Sequence, residues 1–313
     1  MDFTTILFQV IALFIMMGIG LVARKLGYMS DAAKKGMTDI LIKIVTPAVV
    51  ISSFSREFEA DKMTNAWVVL IGAIIMHIIL CALSLVLFSK EDKDKKAVLR
   101  FGIIFGNFGF MGFPVLQSLF GLDGVFYGAM FTAAFYFFSW TFGVALFTKP
   151  KSVKDTVRSI FNAPFISVVI GVLMYISPFR LPDFLQSVVD SVGNMNTPLS
   201  MMIVGSIFAD VKFKEIFTEK KIYLSAMLRL LVSPIIAMAI ALLIGTVFKG
   251  VPSGIPFRVV IVEEAMPCAA YAAIFATKFG SDSRLASKMV AIATASSVVT
   301  IPFVVWLMQI LEI

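Results

Sequence analysis

Two carboxylates stand side by side inside an apolar stretch, Glu263-Glu264-Ala265-Met266-Pro267-Cys268. A charge near the middle of a bilayer costs about 3 kcal/mol or more unless it is paired, protonated or hydrated, and such acids usually mark substrate or ion pathways. Glu263 and Glu264 are therefore candidates for ion coupling, by uptake of a proton or of a sodium ion. Adjacent residues on a helix point about 100° apart, so the two need not share one cavity. In that case one acid lines a pathway and the other sits in a structural pair, with Arg258 a candidate partner. A second run, Gly106-Asn107-Phe108-Gly109-Phe110-Met111-Gly112-Phe113-Pro114, puts three glycines and a proline in an equally apolar setting. Proline removes a backbone hydrogen bond and glycine tolerates unwound geometry. In hydrocarbon the freed amides and carbonyls need partners or a wet cavity. Both runs thus predict broken helices near the membrane midplane, where a half-helix N-terminus favours an anion. Substrate contact is expected from Asn107, Gly109, Met111, Gly112, Pro114, Met266 and Pro267, and from Ser52, which follows Thr46-Pro47.

Three further ionisable residues lie in apolar surroundings. Lys43 stands four residues after Asp39, the spacing of a helical ion pair, and is long enough to snorkel to the interface. Arg229 lies near the cytoplasmic end of its segment and reads as structural. His77, the single histidine, reads as a hydrogen-bonded packing residue rather than a proton relay.

The elements that carry these groups follow from composition. The chain has 313 residues, 59% hydrophobic and only 15% charged, with a mean hydropathy of +0.95. A soluble domain carries about 25% charged residues, so the solvent of this chain is largely lipid. A bilayer is crossed by about 20 apolar residues, and ten such spans are read at 3–23, 36–55, 65–88, 98–119, 122–147, 161–179, 183–208, 221–248, 256–277 and 285–310. The first has no basic residues before it and Arg24-Lys25 after it, so it reads as a retained helix rather than a signal peptide. Cys81 and Cys268 both fall in apolar segments and suggest neither a disulfide framework nor a zinc site.

The net charge of +7 does not imply nucleic acid, because the basic residues sit in short loops. Loops after odd-numbered spans hold 20 Lys and Arg, among them Arg24, Lys25, Lys34, Lys35, Lys90, Lys93, Lys95, Lys96 and Arg100; loops after even-numbered spans hold 5. Basic residues are retained in the cytoplasm, so both termini are expected outside. The chain also repeats: Thr46-Pro47 recurs as Thr197-Pro198 at an offset of 151, His77 aligns with Arg229 at 152, and Pro114 with Pro267 at 153. Lys43 and Asn194 each stand four residues before the proline of their Thr-Pro. Halves of five spans face opposite ways, the inverted-repeat plan of secondary transporters.

These segments resemble the auxin efflux carrier family, which includes the plant PIN carriers and many bacterial relatives. The resemblance rests on Asn107 to Pro114, on Ala265-Met266-Pro267 with Phe275-Ala276-Thr277-Lys278-Phe279-Gly280, and on Thr300-Ile301-Pro302. It implies an all-α membrane protein of ten transmembrane helices in two inverted five-helix repeats, a fold of the NhaA, bile-acid symporter and PIN type, with broken helices 4 and 9 crossed at Pro114 and Pro267. Residues 1–147 would form the first repeat, 148–160 a short cytoplasmic loop and 161–313 the second repeat. Helices 1, 2, 6 and 7 would be a scaffold, able to form a homodimer, and helices 3–5 and 8–10 a transport domain moving by an elevator mechanism. Asn107 matches the family asparagine that contacts a substrate carboxylate. The substrates so implied are auxin-like acids or carboxylates such as malate and malonate. The long cytoplasmic loop of many plant members is absent, which points to a bacterial-type carrier of the cytoplasmic membrane. Glu263 and Glu264 depart from the neutral residues of the plant members and raise proton or sodium coupling. The alternative is a cation/proton antiporter or a bile-acid-type sodium symporter. An enzyme is not expected: no HExxH occurs, one histidine cannot supply a metal cluster, and adjacent acids converge poorly on one bond.

Overall fold

The computed structural model describes residues 3–148, 160–209, 219–247, 254–311 and 313. They form helices α1 (Phe3–Lys25), α2 (Asp31–Phe54), α3 (Ala60–Val86), α4 (Lys93–Ile104), α5 (Phe108–Phe147), α6 (Ala163–Ile176), α7 (Asp183–Gly193), α8 (Asn196–Ala209), α9 (Lys220–Ile244), α10 (Ile255–Glu264), α11 (Tyr271–Lys278) and α12 (Ser283–Ile310). Among the described residues no strand occurs. Six helices, α1, α2, α3, α5, α9 and α12, are long and apolar enough to cross a membrane, and α6 is a shorter apolar helix. The basic loop 148–160 lies, apart from its two end residues, outside the described residues.

The interruptions have local causes. Helix breaks at both predicted places: α4 stops at Ile104 and helix resumes at Phe108, and α10 stops at Glu264 and helix resumes at Tyr271. Proline also perturbs helices that continue. Wide π turns at Leu41–Val45, Phe108–Gly112 and Leu228–Val232 each precede a proline at the second following residue, Pro47, Pro114 and Pro234. A proline ring clashes with the carbonyl four residues back, and a widened turn relieves that clash. Within α5, Gly121 adopts φ 63°, where a side chain would be strained, and turns the chain so that 122–147 runs separately from 108–120. The predicted span 183–208 differs from the structure. It is two helices, an amphipathic α7 and an apolar α8, joined by a turn at 194–195.

Packing joins these pieces. α1 lies along α8 at close range: a Cβ on Gly20 would meet the Met202 backbone, and one on Gly205 the Met17 backbone. Small residues permit such backbone approach in membranes, where dispersion and not hydrophobicity drives helix association. The interior of the other helices is aromatic. Phe101, Phe105, Phe108, Phe131, Phe135 and Phe275 are all fully buried, and their rings meet edge-on or tilted at 4.5–6.0 Å. His77 stacks on Phe138 and touches three of these phenylalanines. Its Nδ1 lies 2.7 Å from the Ala73 carbonyl oxygen, the packing role its isolation suggests.

Candidate functional site

The two helix breaks cross each other. The Asn107 amide donates to the Pro267 carbonyl at 2.7 Å, and the Ala269 amide donates to the Phe105 carbonyl at 2.9 Å. Gly106 and Cys268 are thereby paired as a minimal antiparallel bridge. Two unwound segments that would each strand polar backbone in an apolar interior satisfy one another in part.

Four half-helix ends meet at this crossing: the C-termini of α4 and α10 and the N-termini of α5 and α11. Helix ends leave unpaired carbonyls at one terminus and unpaired amides at the other, equivalent to about half an elementary charge each. The carbonyl ends are served by Arg229 of α9, whose side chain is wholly buried. Its guanidinium donates to Met266 (3.0 Å) and Glu263 (3.0 Å) on the α10 side and to Ile104 (3.2 Å) on the α4 side. The Glu263 carbonyl, which Pro267 four residues on cannot serve, accepts from the Met266 amide at 3.0 Å as well as from Arg229. The same guanidinium forms an ion pair with Glu264 at 2.8 Å and lies 5.0 Å over the Phe108 ring. Glu264 also accepts from the Ser233 hydroxyl at 2.5 Å. Sequence position puts Arg229 near a helix end; its side chain reaches the crossing itself.

Glu263 is different. It is fully buried and neither carboxyl oxygen has a hydrogen-bond partner among the described residues. Its carboxyl fills the space left by two missing side chains, since a Cβ on Gly112 would stand 2.9 Å from the carboxyl carbon and one on Gly128 3.3 Å from Oε1. Arg258 serves neither acid; its Nε donates to the Ile313 carbonyl at 2.7 Å.

The other predicted residues distribute as follows. Asn107 is buried, caps the Phe108–Gly112 turn through its carbonyl, and has a side-chain nitrogen without a partner. Gly109 is partly exposed and faces the Tyr136 hydroxyl at 3.7 Å from its would-be Cβ. Met111, Met266 and Pro267 lie in or beside the crossing, and Met111 and Met266 are buried. Pro114 lies seven residues past Asn107 within α5, so the segments cross at Gly106 and Asn107 rather than at Pro114, where backbone left extended by the break can pair. Ser52 stands apart, donating at 2.5 Å to Asp190 of α7, while its neighbour Ser55 bonds Gln186 at 2.5 Å. Lys43 pairs with Asp39 at 2.8 Å with both side chains largely exposed, the structural role its spacing suggests.

Sequence reasoning passed over one group of polar residues. The Thr46 hydroxyl lies 3.5 Å from Oδ1 of Asn196, and the Thr197 hydroxyl 3.2 Å from Oε1 of Gln117. The Asn196 side-chain nitrogen is buried and unpartnered. α8, which carries Asn196 and Thr197, packs against the Phe108–Gly112 turn. The available signal was Asn196 directly before the repeated Thr-Pro. Two of the three repeated pairs also approach in space: Thr46 meets Asn196, the residue before Thr197, and His77 and Arg229 lie on the same Phe108 ring.

The sequence model of a family described as "Membrane transport protein" matches residues 5–156 and 152–305. An uncharacterized transporter of Methanocaldococcus jannaschii is 21% identical over 311 residues, covering 96% of this chain and 97% of its own. An uncharacterized transporter of Methanothermobacter thermautotrophicus is 23% identical over 300 residues, covering 94% and 95%.

Proposed function

Since the chain belongs to the membrane transport protein family, the auxin efflux carriers, we propose that it is a secondary transporter of small organic anions. The observation that carries this reading is the polarity of the crossing. Arg229 neutralises the two negative helix ends, while the positive N-terminus of α5 begins beside Asn107, whose side-chain nitrogen is unpartnered among the described residues. A carboxylate docked there accepts from helix amides and from the Asn107 side chain, in surroundings where water competes little.

Movement of the bound anion requires one part of the protein to shift against another. In this reading ten spans form two inverted five-helix repeats; α1, α2, α6, α7 and α8 form a scaffold and the remaining helices a transport domain that moves as an elevator. The approach of two of the repeated residue pairs supports it, as does the close α1–α8 packing. Polar contacts between α8 and the α5 N-terminus, such as Thr197 to Gln117, line the boundary the anion would cross. The substrates are mono- or dicarboxylates such as malate or malonate, or auxin-like acids. The basic-residue asymmetry supports both termini lying outside the cytoplasmic membrane, and in this reading the scaffold forms a homodimer. The α10 carboxylates tie transport to an ion gradient.

The test is a thermal-shift screen of purified protein against mono- and dicarboxylates and indole acetate, followed by flux in proteoliposomes. A ligand of the folded state raises apparent stability by mass action. Asn107→Ala is expected to abolish the shift and lower flux while the protein remains in the membrane; an unchanged response would remove Asn107 from the site. A cation/proton antiporter is the second reading, favoured by the unpaired Glu263. Cation-dependent pH changes in vesicles without any organic anion would select it.

A further inference from the structure

The adjacent acids of α10 sit in opposite environments, and we propose that Glu263 is a proton-binding site loaded together with the anion, while Glu264 is the fixed counter-ion of Arg229. This inference rests on the anion-carrier reading and assigns its coupling ion.

Oε2 of Glu264 is held by the Arg229 guanidinium at 2.8 Å and the Ser233 hydroxyl at 2.5 Å, while its Oε1 has no hydrogen-bond partner among the described residues. Glu264 is the carboxylate that pairs with the buried guanidinium. Glu263 points the other way, into the hollow that Gly112 and Gly128 leave open on α5. Among the described residues no hydrogen-bond donor reaches either of its oxygens. A hard cation needs several oxygen ligands, and among the described residues no cluster of three His, Cys, Asp or Glu side chains exists. A lone carboxyl walled by glycine carbons suits a proton.

The ionisable groups around Glu263 are few. Its own helix contributes Glu264; α9 contributes Arg229, whose charge Glu264 balances; α5 contributes Tyr136, within electrostatic reach. α3 contributes His77, which lies nearer Glu264 and Arg229. The 108–120 half of α5 has no ionisable side chain, and neither does α12 from Met289 to its end. Arg229 and Glu264 sum to zero, so the charge of the crossing equals the charge of Glu263: neutral when protonated, −1 when ionised.

That charge acts on the anion. Gly112, against which Glu263 packs, is five residues from Asn107, about 8 Å at the helical rise of about 1.5 Å per residue. At that separation and an effective dielectric of about 20, an ionised Glu263 weakens binding of a monoanion about 30-fold. Binding of proton and anion therefore assist one another by the same factor. The proton passes from water to the Glu263 carboxylate on the loading side and returns to water on the releasing side, with no covalent change. The coupling is symport.

The experiment compares wild type with Glu263→Gln, which mimics the protonated form, using malonate, malate and indole acetate as probes. Affinity is read by thermal shift across the neutral to alkaline range, where the probes stay ionised. Wild-type affinity for indole acetate is expected to fall about 30-fold as pH rises, and for the doubly charged malonate and malate by more, up to about 1,000-fold, while the variant holds the acidic-form affinity throughout. In proteoliposomes an inward proton gradient should drive accumulation by wild type and not by the variant. Infrared difference spectra in a pH titration need no substrate and should show a buried carboxylic-acid band that Glu263→Gln loses. A pH-dependent affinity or a gradient response retained by the variant overturns the assignment and leaves the carrier intact, as does wild-type accumulation driven by sodium alone. If wild type neither binds nor moves any probe, the carrier reading itself fails. Should Glu263→Gln not accumulate, Glu263→Asp in the infrared titration decides: a shifted band supports the site, an unchanged band refutes it.

Discussion

Replacing Arg229 by methionine removes the charge and every donor while keeping an unbranched apolar stem. In the structure that side chain holds one buried carboxylate at 2.8 Å and three carbonyls at 3.0–3.2 Å. Stranding the partner of a buried ion pair costs about 3–5 kcal/mol, and each buried carbonyl left without a donor about 1–3 kcal/mol. Partial relaxation makes these terms less than additive, so a net loss of about 6 kcal/mol is expected, comparable to the whole stability of many proteins. Thermal unfolding in detergent should fall by roughly 10 °C or more, or the protein should fail to accumulate. Two companion variants isolate the terms. Arg229→Met with Glu264→Gln removes the stranded charge and should recover about half of the loss, with a coupling energy above about 2 kcal/mol in the double-mutant cycle. Arg229→Lys keeps the charge but lacks the fork that spans both helix ends, and should fall between wild type and methionine. A methionine variant that melts within a few degrees of wild type would refute the role assigned to Arg229 and the electrostatics of the crossing built on it.

Other substitutions test separate links. Gly205→Ala puts a methyl 2.7 Å from the Met17 carbonyl carbon, a backbone atom that cannot step aside; a loss of about 1–3 kcal/mol in thermal stability is expected, whereas Gly18→Ala on the open face of α1 should be neutral or slightly stabilising. Gly112→Ala drives the Glu263 carboxyl from its hollow, and proton-driven accumulation should be lost while the protein still reaches the membrane by quantitative blotting. Lys43→Ala breaks a largely exposed pair with Asp39 and should change neither melting temperature nor flux, because such pairs contribute little.

Much of the architecture was legible in the residues themselves. Apolar runs of bilayer length exist because lipid is the solvent, and no tertiary information is needed to find them. The 265–270 break was legible for a similar reason, since Pro267 removes a donor whatever surrounds it; the 105–107 break falls beside Gly106 and precedes Pro114, which α5 carries within its helix. The Lys43–Asp39 pair was legible too, a contact within one helical turn. The division of span 183–208 at its internal turn was not, because hydropathy averaged over a window hides two residues.

What only the tertiary structure decided is which partner each buried polar group found. Glu263 and Glu264 are equivalent by type and neighbourhood along the chain, yet one meets a guanidinium and the other two glycines. Arg229 lies about 35 residues before the acids and some 125 after the α4 carbonyls it serves. Asn196 meets Thr46 across a separation of 150 residues. Helix formation and membrane burial depend on local sequence, because each backbone bond closes within four residues. The pairing of a buried charge depends on where other helices bring their donors, and that is set by packing distributed over the whole chain.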